Sequence, residues 1–212
     1  MTDDLRSSLL RARDADLEVA AQRLQRIAAV LSADLLPHLV SALADAASPD
    51  RVLVSLERFG QSAEAKGLDL AYLVRNPRAL EILVSVFSGS QFLTEILLRN
   101  PDYLPRLSGR QRLAGVKSAK AYSAAAHACI AVGSQGEPAG PLPAVQWTEQ
   151  LNALHRLQHW ELLRIGTCDL LDLFDLPVVT RQLSHLADGM IGACLDLAAV
   201  ESNTPVDGLA VI

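Results

Sequence analysis

Leu17, Ala20, Leu24, Ile27, Leu31 and Leu35 recur at three- and four-residue steps, a single apolar stripe that predicts a long amphipathic helix. Arg13, Arg23, Gln25 and Arg26 fall mostly off that stripe. Pro37 lacks a donor and clashes with the preceding turn, so it breaks or kinks the helix. A second, short helix is predicted from about Asp34 to Ala46. Ser48-Pro49-Asp50 then reads as a helix start: an N-cap hydroxyl, a proline at the first position and an acid at the positive end of the dipole. Val52, Leu53, Leu56 and Phe59 form its apolar face, and Gly67 ends the segment.

An internal repeat follows. Arg75-Asn76-Pro77 recurs as Arg99-Asn100-Pro101, twenty-four residues later, and Leu80 and Leu83 return at the same offset as Leu104 and Leu107. Each Asn-Pro reads as an N-cap followed by the first helical residue. Ser88-Gly89-Ser90 separates Leu80–Phe87 from Phe92–Leu98. The pattern is a series of short helices turning at each Asn-Pro or Gly-Ser. Two units fall short of the three that a solenoid needs, so they read as a local duplication.

Gln111–Val132 reads as an Ala-rich, basic helix, and Gly133–Pro143 as a linker or mobile loop. Beyond it Leu151, Leu154, Leu162 and Ile165 mark one face of a helix starting near Trp147. Asp175-Leu176-Pro177 opens a last helix, whose stripe is Val179, Leu183, Leu186, Met190, Cys194 and Leu197. Gly166, Gly189 and Gly192 cost helix propensity, which close backbone approach would explain. After Asn203-Thr204-Pro205 comes Gly208-Leu209-Ala210-Val211-Ile212, a short apolar run of the kind a buried strand uses. No other segment offers it a partner strand.

The expected fold is therefore all-α: a multi-helix array or bundle with a short terminal β-strand. The expected organisation is an N-terminal helical array over 1–132, a Gly/Pro-rich linker over 133–146, a helical pair over 147–204 and a strand over 205–212.

Composition adds three limits. Half the residues are apolar and only 4% aromatic, which favours helix over sheet. A net charge of −5 argues against a general nucleic-acid binder. That charge is uneven: Arg106, Arg110, Arg112, Lys117 and Lys120 stand in a stretch from Tyr103 to Gly136 that has no acid. This basic stretch reads as a solvated helix face or as a docking surface for an anionic partner. Cys129, Cys168 and Cys194 are far apart and form no C-x-x-C pair, which suits a reducing compartment. The first residues carry no signal-peptide pattern, and no apolar run approaches the ~20 residues of a membrane span. The cytoplasm, with no membrane and no nucleic acid as partner, is the expectation.

Constellations that could carry chemistry are few. His155 and His159 lie one turn apart, a spacing that can bind a metal with Cys168 or His185 as third ligand. Partly exposed packing histidines are the favoured reading. Asp169, Asp172 and Asp175 could hold Mg²⁺, but each also serves as a solvated residue or helix cap. Phosphate-binding loops and nucleophile elbows are absent from the sequence. Glu161 and Arg164 are spaced for an ion pair on one helix, with Asp169 as a second acceptor if the helix bends near Gly166. An internal salt bridge tying two helices together is the favoured reading.

Glu161-Leu162-Leu163-Arg164-Ile165, then Asp169-Leu170 and Leu183-Ser184-His185-Leu186-Ala187-Asp188, resembles a segment of the bacterial glutamine synthetase adenylyltransferase/adenylyl-removase family. Leu56-Glu57-Arg58-Phe59, Asn76-Pro77, Leu80, Phe87-Ser88-Gly89-Ser90 and Phe92-Leu93 resemble that family's helical lead-in, in the same order. Gly208–Ile212 is similar to the strand that enters its nucleotidyltransferase domain. No single motif is specific; the ordered set, from about Asp50 onward, is.

The resemblance implies a parent enzyme that adenylylates and deadenylylates glutamine synthetase, using Mg²⁺ with ATP or phosphate. In that family a glycine-rich segment with a lysine and an Asp-x-Asp pair follow the strand, and their carboxylates hold the metal for displacement at phosphorus. None of those residues is in this sequence, so no catalytic, cofactor-binding or metal-binding residue is expected in it, and no cofactor is expected to bind here. The long opening helix is similar to the start of the adenylyl-removing half. Glutamine synthetase, and a nitrogen-regulatory signalling protein, are the partners implied. The alternative is a non-catalytic helical interaction module.

Overall fold

A computed structural model describes residues 36–44, 46–69, 72–73, 76–109, 113–131 and 144–202, together with Gln25 and Ile27. Eight helices account for most of these, and no strand occurs among the described residues. The all-α expectation holds there. The 205–212 strand and the Gly133–Pro143 linker lie outside the described residues. Of the long first helix only Gln25 and Ile27 are described; both are helical, with Ile27 buried and Gln25 exposed, as the stripe requires.

The described residues form two units, one within Met1–Ala114 and Gly166–Leu173, the other within Gly115–Ile165 and Phe174–Ile212. The division falls near Gly115, ahead of the Gly/Pro-rich segment, so the helix expected to close the front array belongs to the second unit.

In the first unit, α1 is Leu36–Ala44, α2 Pro49–Ala65, α3 Pro77–Gly89, α4 Gln91–Arg99 and α5 Tyr103–Ser108. Pro37 sits in the first turn of α1. There it costs little, because first-turn N–H groups have no intrahelical partner. The expected face of α2 is its core face: Val52, Leu53, Leu56 and Phe59 are all buried. Phe59 meets Phe87 of α3 with ring centroids 6.2 Å apart and planes tilted by 55°, an arrangement that aromatic quadrupoles favour. The repeat is real at the level of packing, since Leu80, Leu83, Leu104 and Leu107 are all buried.

The caps differ from expectation in an instructive way. Ser48 and Asn76 precede α2 and α3, each followed by proline, but neither side chain caps its helix. Asn76 instead donates from Nδ2 to the Tyr72 hydroxyl at 2.8 Å. Asn100-Pro101 does not begin a helix: Asn100 donates from Nδ2 to the Ile96 carbonyl at 2.9 Å, closing α4, and α5 starts at Tyr103. Ser90 is the side-chain cap, its hydroxyl accepting from the Leu93 N–H at 3.3 Å. Along the outer edge of α2 and α4, Arg58 and Glu95 form a two-pronged ion pair, at 2.9 and 3.4 Å.

In the second unit, α6 is Ala119–Ala131, α7 is Ala144–Leu170, of which the part to Ile165 lies here, and α8 is Leu176–Ser202. The helix predicted over Gln111–Val132 is shorter at its start. Residues 113–118 are not helical, because Gln182 takes both the backbone N–H and the carbonyl of Lys117, at 2.9 and 2.7 Å. Ser118 then opens α6, its hydroxyl accepting from the Ala121 N–H at 3.2 Å. Asp175 opens α8 as expected, accepting from the Val178 N–H at 2.9 Å.

Ala126, Leu154, Ala193 and Leu197 form the apolar centre of this unit, with Cys129, Trp147, Leu151 and Met190 packed around it. The small side chains let α6 and α8 approach closely. A Cβ on Gly189 would stand 3.0 Å from both the Ser123 nitrogen and the Tyr122 carbonyl carbon. Gly192 needs no such explanation, since its nearest neighbour would be the His127 ring at 3.7 Å.

The buried stripe of α8 is Val179, Gln182, Leu186, Gly189, Ala193 and Leu197, whereas Leu183 and Cys194, expected within it, are exposed. Among the described residues Leu176–Val200 is long and apolar enough to cross a membrane by length and composition, with mean hydropathy 1.3. This corrects the expectation that no run approaches that length. The same helix carries Arg181, Asp188 and Asp196, and packs on α6 through the buried amide of Gln182.

Candidate functional site

The most concentrated polar chemistry in the described residues lies inside the second unit, around Arg164. Glu161 and Arg164 sit one turn apart on α7, both essentially inaccessible, and Arg164 Nε donates to Glu161 Oε2 at 2.9 Å. The predicted internal salt bridge is therefore present, within one helix. The rest of the guanidinium ties that helix to three further places. Nη1 donates to the Gly115 carbonyl at 3.0 Å, and Nη2 to the Tyr122 hydroxyl at 2.9 Å and Gln182 Oε1 at 3.3 Å. Asp169, the other acceptor suggested by sequence, is exposed.

Each remaining member is held in turn. Tyr122 donates to Gln182 Oε1 at 3.1 Å, while its ring lies 5.6 Å from the Lys117 ammonium. Lys117 donates to Glu161 Oε1 at 2.5 Å. Glu161 is thus shared between two cations, one buried and one 38% exposed. Phe174 closes the arrangement, with its ring centroid 6.0 Å from the Arg164 guanidinium carbon.

These surroundings fix the protonation states. Burial pushes the Tyr122 hydroxyl up to about 12, against the lowering influence of Arg164 and with Glu161 adding to the rise. Burial pulls Arg164 down, but the Glu161 charge and hydrogen bond, followed by Tyr122, outweigh it and leave the guanidinium above its ordinary value. Neither group gains or loses a proton near neutral pH. The constellation anchors α6, α7, α8 and the 115–117 loop.

Lys117 was one of five residues in the basic stretch, and it is committed to Glu161. Arg106 and Lys120 are exposed but belong to different units, and Arg110 and Arg112 lie outside the described residues. The stretch is accordingly not one helix face. His155 and His159 stand with ring centroids 6.3 Å apart. No three of His, Cys, Asp and Glu are grouped to hold a metal among the described residues. Asp172 takes the left-handed conformation, φ 53°, at the end of α7, where the Leu173 N–H reaches back to the Cys168 carbonyl at 2.8 Å. Asp175 is the α8 cap.

Sequence reasoning missed Tyr122 and Gln182. Tyr122 is the one aromatic residue of an Ala-rich helix, and Gln182 occupies an apolar position in the α8 stripe. Both irregularities were visible as residues out of place.

The family model described as glutamate-ammonia ligase adenylyltransferase matches residues 80–208, a span that holds the entire Arg164 network. The bifunctional glutamine synthetase adenylyltransferase/adenylyl-removing enzyme of Mycobacterium marinum is 30% identical over 82% of this chain and 16% of its own length. That of Thioalkalivibrio sulfidiphilus is 25% identical over 79% of this chain and 16% of its own. The Neisseria meningitidis enzyme is 27% identical over 76% and 17%. No solved structure matches at a significant level. This chain spans about a sixth of the length of the curated relatives it matches, and it belongs to the glutamate-ammonia ligase adenylyltransferase family.

Proposed function

We propose that this chain is the helical part of a bifunctional enzyme that attaches AMP to glutamine synthetase and removes it, and that it serves the adenylyl-removing half. The observation that carries the reading is the Arg164 network. It lies wholly within the family-matched span and ties three helices and a loop together. A rigid support of this kind suits a domain that positions a separate catalytic centre. Mg²⁺ and ATP or phosphate would be held by that centre, where the metal supplies charge stabilisation at phosphorus. The exposed side chains of Arg106, which lies over the Tyr103 ring, and of Lys120 would contribute to contact with glutamine synthetase or with a nitrogen-regulatory signalling protein.

Both activities on glutamine synthetase should be measured in the full-length protein carrying Arg164→Met. Removal is expected to fall at least tenfold while attachment persists. Equal loss of both reactions would end the assignment to the removing half. A wild-type protein with no activity on glutamine synthetase would overturn the reading as a whole. If charge reversal of Arg106 and Lys120 left glutamine synthetase binding unchanged, those two residues would be excluded as the contact.

A further inference from the structure

Helix α8 has more apolar surface than its neighbours in the second unit cover. At 100° per residue the buried positions Val179, Gln182, Leu186, Gly189, Ala193 and Leu197 occupy an arc of about 80°. Beside it, Leu176, Leu183, Ala187, Ile191, Cys194 and Ala198 fall within an arc of about 80°, and every one is exposed. Leu176 is 74% exposed, Ile191 41% and Leu183 39%. The one hydroxyl on that arc, Thr180, donates to the Leu176 carbonyl at 2.8 Å. Arg181, Asp188 and Asp196 lie beyond the second arc, on the far side of the helix.

A helix that needed one neighbour would place charge where Leu183 and Ile191 stand. Three large apolar residues along about 22 Å of helix, interleaved with Ala187, Cys194 and Ala198, instead form a ridge-and-gap surface suited to close packing. Two observations favour an occupant from the longer chain. The family match runs through this face and past the end of α8 to Gly208. More than four-fifths of each curated relative lies outside the region matched here.

We propose that the Leu176–Leu183–Ile191 face of α8 is the seat of the domain that follows it in the longer chain, an apolar helix or sheet face covering the ridge. This rests on the reading of the chain as part of a longer family enzyme. Its consequence is that the catalytic domain's placement depends on α8, while the Arg164 network holds α8 from the opposite side.

Cys194 sits within the face and is exposed, whereas Cys168 is buried. Iodoacetamide labelling, resolved by peptide mass, should therefore proceed readily at Cys194 in the 212-residue chain. In the full-length protein it should be at least tenfold slower, and Leu183→Lys with Ile191→Lys should restore the fast rate. Cys168, protected until urea is added in both forms, reports that the variant is folded. Equal Cys194 rates in the short and full-length chains would overturn the proposal. So would protection in the short chain that grows with its concentration, which would mean a second copy. Protection only on addition of anionic phospholipid vesicles would overturn it in favour of a lipid surface. None of these readings uses adenylyl transfer, so loss of the proposed activity and loss of the proposed contact are separable.

Discussion

Arg164 Nε lies 2.9 Å from Glu161 Oε2, one turn away on the same helix, and neither side chain is more than 1% exposed. Two such charges are expensive to take out of water and are tolerated only when paired and fully hydrogen-bonded. Here the guanidinium reaches Glu161, Gly115, Tyr122 and Gln182, and the carboxylate also accepts from Lys117. Removing one partner strands the other. Arg164→Met and Glu161→Gln should each lower unfolding free energy by about 3–5 kcal/mol, the range for breaking a buried pair. The double variant should cost well under the sum, because neither charge is then left alone. Urea unfolding of the three variants checks this, and additive losses would show that the pair is not coupled. Arg164→Lys should rescue little, since an ammonium cannot span four acceptors in different directions.

How much of this could be read from the sequence depended on whether the signal was periodic. The α2 face, Val52, Leu53, Leu56 and Phe59, follows directly from apolar spacing and is buried as expected. Asp175-Leu176-Pro177 carries its own cap chemistry and opens α8. The Glu161–Arg164 pair is legible because both partners lie on one helix. Tyr122, Gln182 and Gly115 were not legible as its partners, because their sequence separations from Arg164 run from 18 to 49 residues. Apolar spacing puts Leu183 and Cys194 in the α8 stripe because hydrophobicity alone cannot recognise a buried glutamine or a glycine at a close contact. Asn100 reads as a helix start because the Asn-Pro pattern is the same whether the amide faces forward or, as here, back to Ile96.

The close approach of α6 and α8 distinguishes two glycines that look alike in sequence. At Gly189 an added methyl would meet backbone atoms of Tyr122 and Ser123 at 3.0 Å, and backbone cannot step aside as a side chain can. Gly189→Ala should destabilise by about 1–3 kcal/mol, as overpacking does. At Gly192 the nearest atom is 3.7 Å away, which is ordinary contact. Gly192→Ala should be neutral or stabilising by up to about 1 kcal/mol, through helix propensity. Thermal unfolding of the two variants should move in opposite directions or differ by several degrees. Equal effects would contradict the close crossing.

Tyr122 gives the second unit a defined sensitivity to alkali. Its hydroxyl is raised from 10.0 to about 12 in the folded state, with burial the main cause. Between those values the unfolded chain has lost this proton while the folded chain keeps it. The folded state binds more protons there, so stability falls as pH rises from about 10, and the contribution is intact at all lower pH. The full shift corresponds to at most about 2.7 kcal/mol, at 1.36 kcal/mol for each pH unit. Ultraviolet absorbance of tyrosinate should show a late-titrating group among the three tyrosines of the sequence, absent from Tyr122→Phe. If Tyr122→Phe leaves the alkaline titration unchanged, the buried hydroxyl is not where the structure puts it.

Two serines that precede helices should behave differently although the sequence treats them alike. Ser90 accepts a hydrogen bond from the Leu93 N–H at 3.3 Å and meets one of the unpaired donors at the start of α4. Ser48 stands in the same place before α2, but its hydroxyl caps nothing, and Pro49 already removes one donor from that end. Ser90→Ala should therefore cost about 1 kcal/mol, typical of a lost N-cap. Ser48→Ala should change stability by less than about 0.5 kcal/mol, as for a surface substitution outside any such feature. The Ser90 hydroxyl also lies near the turn where Gly89 faces Leu170, so its loss should be felt first in hydrogen exchange at Leu93 and Thr94. Matching losses at both serines would mean that proline-initiated and hydroxyl-capped helix starts in this array are held in the same way.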